Sequence, residues 1–501
     1  MNTDISPGSS VAAGPTSRPW AQSLLLVVVC GGVFALVGYF MPDQRAVASP
    51  VSSAGRLAPS EPTVEDVLRT LPEPVAGSAV AAAHGSAVQR LRRLPATAAA
   101  WTALGDALAQ QQRISMDPAY FNFGETAYRQ ALNIRDDHPA ALAGMAWAYG
   151  GRHQFEVSIL WAGKAFEISP DDPIPHGILG DAAVELGDYE QAFVHYQKMM
   201  DLRPDLSSLS RGAHLLWLTG NRTRAVLLMQ KSIASGAPFA ENTDWCRARL
   251  AMMLFHDGAL LPAEQALAPS LERQAAANPH VLLAAGKMAA ARGDFAKAAD
   301  YYLRAVEVHP SLEGWAALGD LAAAGGNQEQ AEKYYQEVDR LHRQHRQTGG
   351  HDHMEMAQFY ADHDRDLPEA LKLALEHGEP CNGTAASTLA WVYFKNGDQP
   401  NAIKWIKQAL GSKLPEASVH YHAGCIASAA GDAASAAEHL NKALSQNPHF
   451  SIIKAPAAVR LLEELAEVDR LESGRSAGSA GGQAPVNSPG EKRAQGLLRL
   501  R

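Results

Sequence analysis

Small residues recur along this chain at a fixed rhythm that few folds can use. From Gly286 the next marks are Ala298, twelve residues on, and Ala305, seven beyond it, before Pro310. The same ladder returns at Gly319, Ala331 and Val338, at Ala390, Ala402 and Ala409, and at Gly424, Ala436 and Ala443 before Pro448. Ala390 and Gly424 stand 34 residues apart. In "GILGDAAVELGDYEQAFVHYQKMMDLRPD", the residues Leu179, Gly180, Ala183, Ala192, Phe193, Tyr196, Met199 and Leu202 fit two helices hinged at Gly187-Asp188, with Pro204 as the stop. One such hairpin cannot bury its own apolar stripe, so the pattern predicts neighbours of the same kind.

Earlier copies begin at Trp101, Leu104 and Gly105 and at Ala146, with Ala165 and Pro170. In the first copy the step from Gly105 to Ala131 is 26 residues where 19 is usual, and "QQQRISMD" is expected to hold a loop insertion of 7. Degenerate copies fill 207–278 and 351–380; Pro262 falls in the first turn of a second helix, where proline is tolerated. The total is about ten. A 34-residue helix–turn–helix of this pattern resembles the tetratricopeptide repeat family over roughly residues 98 to 450. The resemblance implies a right-handed α-solenoid whose inner groove binds proteins or peptides. The expected fold is therefore all-α: about ten such hairpins behind a single N-terminal transmembrane helix.

The chain of 501 residues has a formal net charge of −9 and no basic stripe within its repeats, which argues against nucleic acid as a ligand. Four cysteines, Cys30, Cys246, Cys381 and Cys425, lie far apart and form no metal or haem motif. A disulfide-built fold is not indicated.

Residues 1–19 read as a tail and 20–41 as a membrane anchor, because "AQSLLLVVVCGGVFALVGYFM" runs 21 residues without a charge. The competing reading is a cleaved signal peptide, with "AVA" at Ala46–Ala48 as the processing site. Length favours the anchor. A Pro/Ser/Ala-rich linker follows over 42–86, with a turn or two of helix at "VEDVLRTL". Arg18 on one side and Arg45 and Arg56 on the other leave the charge rule undecided on orientation. The expected placement is single-pass in a bacterial inner membrane with the repeats in the periplasm. The solenoid is assigned to 87–450, a capping helix to 451–472 with Val459, Leu461, Leu462, Leu465 and Val468 as its apolar side, and a disordered tail to 473–501.

No catalytic arrangement emerges. "GRSAG" matches a nucleophile-elbow pattern in letters but lacks the strand and helix that make its serine reactive. There is no phosphate-binding glycine loop and no H-E-x-x-H, so neither an enzyme, a cofactor nor a small-molecule substrate is indicated. Five histidines lie in "LHRQHRQTGGHDHMEMAQFYADH". His342, His345, His351 and His353 form a candidate metal set, and a metal-handling or metalloprotein-assembly factor is the alternative function. The competing account is a polar connector between repeats.

The resemblance places the groove on first-helix positions beside each small anchor, and Trp147, Asp181, Lys287, Asp320, Trp391 and Cys425 stand one step beyond the anchors. Neither the Asn/Lys set that clamps a terminal carboxylate nor an asparagine ladder is present. The candidate partner-binding residues are Trp391, Phe394, Tyr421 and Trp147, aromatic anchors that would hold apolar side chains unless they pack between repeats. The leading expectation is a non-catalytic, membrane-tethered scaffold for partner proteins.

Overall fold

A computed structural model describes residues 63–479 apart from 73, 75–78, 237–239, 274–277, 349–351 and 377–381. Among the described residues there are 23 helices and no strand. Two helices, α1 (Val64–Thr70) and α2 (Ala79–Arg93), precede the hairpins. A capping box starts α1: Thr63 and Asp66 bond each other's backbone N–H. Both helices begin inside the stretch assigned to the linker.

Ten hairpins follow: α3 (Ala98–Ser115) with α4 (Ala119–Ile134), α5 (Pro139–Gly150) with α6 (Phe155–Ile168), α7 (Pro173–Glu185) with α8 (Tyr189–Leu202), α9 (Leu206–Leu218) with α10 (Arg222–Ser235), and α11 (Ala240–His256) with α12 (Leu260–Leu271). The second five are α13 (Pro279–Ala291) with α14 (Phe295–Val308), α15 (Leu312–Ala324) with α16 (Gln328–Thr348), α17 (His353–Asp362) with α18 (Leu367–Glu376), α19 (Gly383–Lys395) with α20 (Gln399–Gly411), and α21 (Ala417–Ala429) with α22 (Ala433–Gln446). A last helix, α23 (Lys454–Ser479), packs on α22 and runs past Ser473, where the expected tail begins.

The hinge is a two-residue device. Glycine takes the left-handed conformation that ends the first helix, as at Gly187, Gly293, Gly397 and Gly431, with φ of 76°, 78°, 81° and 79°. The aspartate after it caps the second helix: Asp188, Asp294, Asp398 and Asp432 accept from the backbone N–H three residues on at 3.0–3.2 Å.

The small anchors have a specific partner. A Cβ added to Gly180, Gly286 or Gly319 would fall 2.3, 2.4 or 2.2 Å from the ring of Tyr196, Tyr302 or Tyr335, each sixteen residues on. Tyr128 fills the same role against both Gly105 and Gly144. Where the anchor is Ala213, Ala251 or Ala390, the residue sixteen on is Met229, Leu267 or Ile406. Apart from Gly424, which meets Leu440, the glycines accompany a ring and the alanines a slimmer aliphatic chain, which evens the volume between the two helices.

Two sequence expectations are corrected. The seven-residue insertion is not a loop, because α3 absorbs it as extra helix and only Met116–Pro118 remain as connector. The core-facing side of α23 is also rotated: Ala455 and Ala458 are buried with Leu461, Leu462 and Leu465 packed beside them, whereas Val459 and Val468 are exposed. The small residues at 455 and 458 let α23 settle closely onto α22.

The ring-against-glycine pairing yields a double-mutant expectation. Gly286→Ala forces a methyl into the Tyr302 ring and should cost about 1–3 kcal/mol of stability. Adding Tyr302→Leu should return much of that loss, because it recreates the alanine–aliphatic pairing of other hairpins. Urea unfolding of the four proteins of this cycle measures the coupling, and additive losses would contradict the pairing.

Candidate interaction surface

The aspartates one step beyond the anchors are anchored, not free. Asp181 accepts two bonds from Arg211, each 2.8 Å, and one from the Tyr196 hydroxyl at 2.7 Å. Asp320 accepts from Tyr335 at 3.0 Å and lies 2.7 Å from His363 Nε2; Asp106 accepts from Tyr128 at 3.0 Å. One carboxylate therefore ties its own hairpin's tyrosine, at Asp181 and Asp320, to a cation from a later hairpin. The signal was present in the sequence as Gly-Asp followed by the tyrosine, but it was missed.

First-helix charges also reach one another across non-adjacent hairpins. Burial, followed by the charge of Arg211, lowers the Arg113 guanidinium, and Asp181 opposes that shift. Arg113, Asp181 and Arg211 belong to the first, third and fourth hairpins. Burial likewise lowers Arg249, which feels Glu416 and Glu313 from the tenth and seventh. Glu355 is raised by burial and then by Glu313. Arg113, Glu313 and Glu355 are nonetheless open to solvent, so these side chains are recessed in a concavity rather than sealed in a core. First helices two to five hairpins apart thus come near enough for their charges to act on one another.

Within the concavity Arg211 is paired, but among the described residues Arg113 and Arg249 have no carboxylate within salt-bridge distance. Arg113 donates to the Gln110 side chain at 3.0 Å, and Arg249 lies 3.0 Å from His214 Nδ1. Burial and that guanidinium hold His214 down to about 3, so it presents a neutral ring. The surface carries separated charges of both signs.

The aromatic candidates pack against other rings of the chain. Trp391 and Tyr421 are 5% and 8% exposed, with the indole stacked on His422 at 4.4 Å and Tyr421 5.9 Å from the Phe450 ring. Phe394 is half-buried against Trp391 at 5.2 Å, and Trp147 is half-buried against Phe121 at 5.0 Å. Trp391 and Tyr421 therefore fill the space between α19, α21 and the Phe450 turn, leaving little face for a partner. Cys425, raised by burial to about 11, is a thiol beside Tyr421. His422 Nδ1 lies 3.1 Å from Ser387 Oγ, and its Nε2 3.5 Å from Lys454.

His342 Nδ1 and His345 Nδ1 both meet Asp352, each at 2.8 Å. Burial opposes ionisation of Asp352, but bonds and charge from the two imidazoles outweigh it and bring the carboxyl down to about 2. His353 opens α17, and His351 lies outside the described residues. No group of three or more potential ligands gathers as a metal site among the described residues. The cluster ties the end of α16 to the start of α17.

With this geometry established, the class of repeat is shown by family models: the tetratricopeptide repeat matches at residues 283–345 and 417–450. A comparison with curated proteins finds no match. Among solved structures, pilF of Pseudomonas aeruginosa is 19% identical with a TM-score of 0.34, covering 44% of this chain and 96% of that one. A tetratricopeptide repeat protein from Parabacteroides merdae is 17% identical, TM-score 0.35, over 52% of this chain and 92% of its own. Yeast Tom70 is 14% identical, TM-score 0.35, over 79% and 97%.

Two measurements check these assignments. Trp391→Ala should cost about 3–5 kcal/mol of stability, as a buried aromatic truncation does, and an unchanged thermal melt would place the indole outside the core. His363 is opposed by burial but raised on balance by its Asp320 and Phe359 bonds. Its contribution is thus full below the unfolded value of about 6.5 and fades as pH rises through the higher folded value. His363→Gln should therefore destabilise more at pH 6 than at pH 9 in paired urea titrations.

Proposed function

We propose that the protein is a non-catalytic scaffold, tethered to a membrane through residues 20–41, whose repeats gather partner proteins. The observation that carries this reading is the recessed inner face, where Arg113, Arg249, Glu313 and Glu355 form no direct ion pair among the described residues. A charged group in such a setting gains from a complementary charge supplied by another protein. Tetratricopeptide repeats commonly serve protein interaction, which agrees with this use. The proposed anchor lies outside the described residues; among those described, no helix is long and apolar enough to cross a membrane. Placement in a bacterial inner membrane with the repeats in the periplasm rests on the apolar run and the linker after it.

Partners cross-linked to the full-length protein in its native membrane and identified by mass spectrometry would test recruitment. Arg113→Glu with Arg249→Glu should reduce capture by at least about fivefold, corresponding to roughly 1 kcal/mol, with the melt nearly unchanged. Equal capture would remove the inner face from the interaction. Carbonate extraction with mass spectrometry of the N-terminus tests the tether, and a mature chain starting at Ser49 would overturn it.

A further inference from the structure

The coil touches itself one turn on. Asn447, 2% exposed, follows the tenth hairpin and donates from Nδ2 to the Phe255 carbonyl at 2.7 Å, in the fifth hairpin and 192 residues away. Its neighbour Gln446 donates to the His256 carbonyl at 3.3 Å. Beside them a Cβ on Gly258, whose φ is +75°, would meet the Gln446 carbonyl oxygen at 2.7 Å. The fourth and ninth hairpins meet in the same way: a Cβ on Gly220, φ +80°, would lie 2.9 Å from the Lys413 carbonyl oxygen. The Ser115 backbone in the first hairpin comes near enough to His309, after the sixth, to oppose the burial that lowers its imidazole.

These three contacts share one rule. Each joins the end of a first helix, or the hinge after it, to the turn that leaves the hairpin five places later. Apolar side chains cross the same line: Leu218 packs into the cluster that otherwise spans Leu312 to Ala458, and Ile452 packs against the cluster holding Ala289, Tyr302 and Leu321. A full turn of the coil therefore takes about five hairpins, and successive turns meet along a seam. Glycine at 220 and 258 does double duty there, ending a helix and letting another turn's backbone come within contact.

We propose that the closed seam bars sideways entry to the inner face, so that the partner it accepts is an extended, mixed-charge polypeptide segment entering by a free end along the coil axis. This deepens the scaffold reading and rests on it for the existence of a partner. Charges of both signs that form no ion pair among the described residues, Arg113 and Arg249 with Glu313 and Glu355, suit a segment bearing both acidic and basic residues. Arg211 and Asp181 act on Arg113 from three and two hairpins away, so charges of separate hairpins line the path such a segment would take.

The test uses no partner, so its failure is separable from failure of the scaffold reading. Single cysteines are placed on the inner face, Lys287→Cys and independently Glu355→Cys, in the full chain, with exposed Glu329→Cys as an outside control. Each is treated with maleimide carried on linear polyethylene glycol or on a small folded protein, and the modified peptide is quantified by mass spectrometry. The linear reagent should reach the inner cysteines, and the folded carrier should react on the order of tenfold more slowly there than at the control. Releasing the seam with Gln446→Ala and Asn447→Ala, in a chain whose circular dichroism is unchanged, should remove that protection. Equal reaction of the folded carrier at inner and outer cysteines overturns the proposal. So does failure of the linear reagent to enter, or protection that persists after a release confirmed by a larger radius of gyration in X-ray scattering.

Discussion

In five places a tyrosine ring lies where a glycine's missing side chain would be, and the rest of the solenoid is arranged around that approach. The ring fixes the spacing of the two helices in its hairpin, and at Tyr196 and Tyr335 its hydroxyl reaches the aspartate beside the glycine. That aspartate in turn receives Arg211 or His363 from a later hairpin. Packing within one unit and registration of units further along the chain are thereby coupled through a single carboxylate. Such coupling suits a stack of elements that have little buried area each and depend on their neighbours for stability.

The same aspartates explain why the inner face is charged without being sticky. Asp181 is satisfied by Arg211 and Tyr196, while Arg113 and Arg249 stand in the same concavity with only neutral side chains as hydrogen-bond partners. A recessed guanidinium with no direct ion pair among the described residues carries a desolvation cost that more distant carboxylates offset only in part. Its retention is understandable if the vacancy is useful, which is the physical content of the scaffold reading.

How much of this could be read from the sequence depended on distance along the chain. The glycine and alanine ladder gave the hairpins because close helix approach leaves a mark within a few dozen residues, and the tyrosine sixteen residues after each of Gly180, Gly286 and Gly319 was equally visible. The insertion before Ala131 was misread as a loop because added length does not reveal whether it continues a helix; "QQQRIS" has good helix formers and does. Trp391 and Tyr421 were placed on the groove because a position beside the anchor borders both groove and core, and their fate depends on what Phe450 and His422 cover. The seam had no local signature at all. Asn447 looks like an ordinary residue before a proline until the chain has made a full turn and returned to Phe255.

Solenoids of stacked repeats usually tolerate gain or loss of a unit, since each contacts only the ones before and after it. The seam changes that arithmetic here. Deleting one hairpin between the fifth and the tenth would carry Gln446 and Asn447 away from Phe255 and Gly258, and would bring a differently shaped turn opposite those residues. Every contact of the seam that spans the deletion would lose its match together. This coil is thus constrained in number as a ring is, and its evolutionary drift should favour exchange of side chains within hairpins over changes in their count.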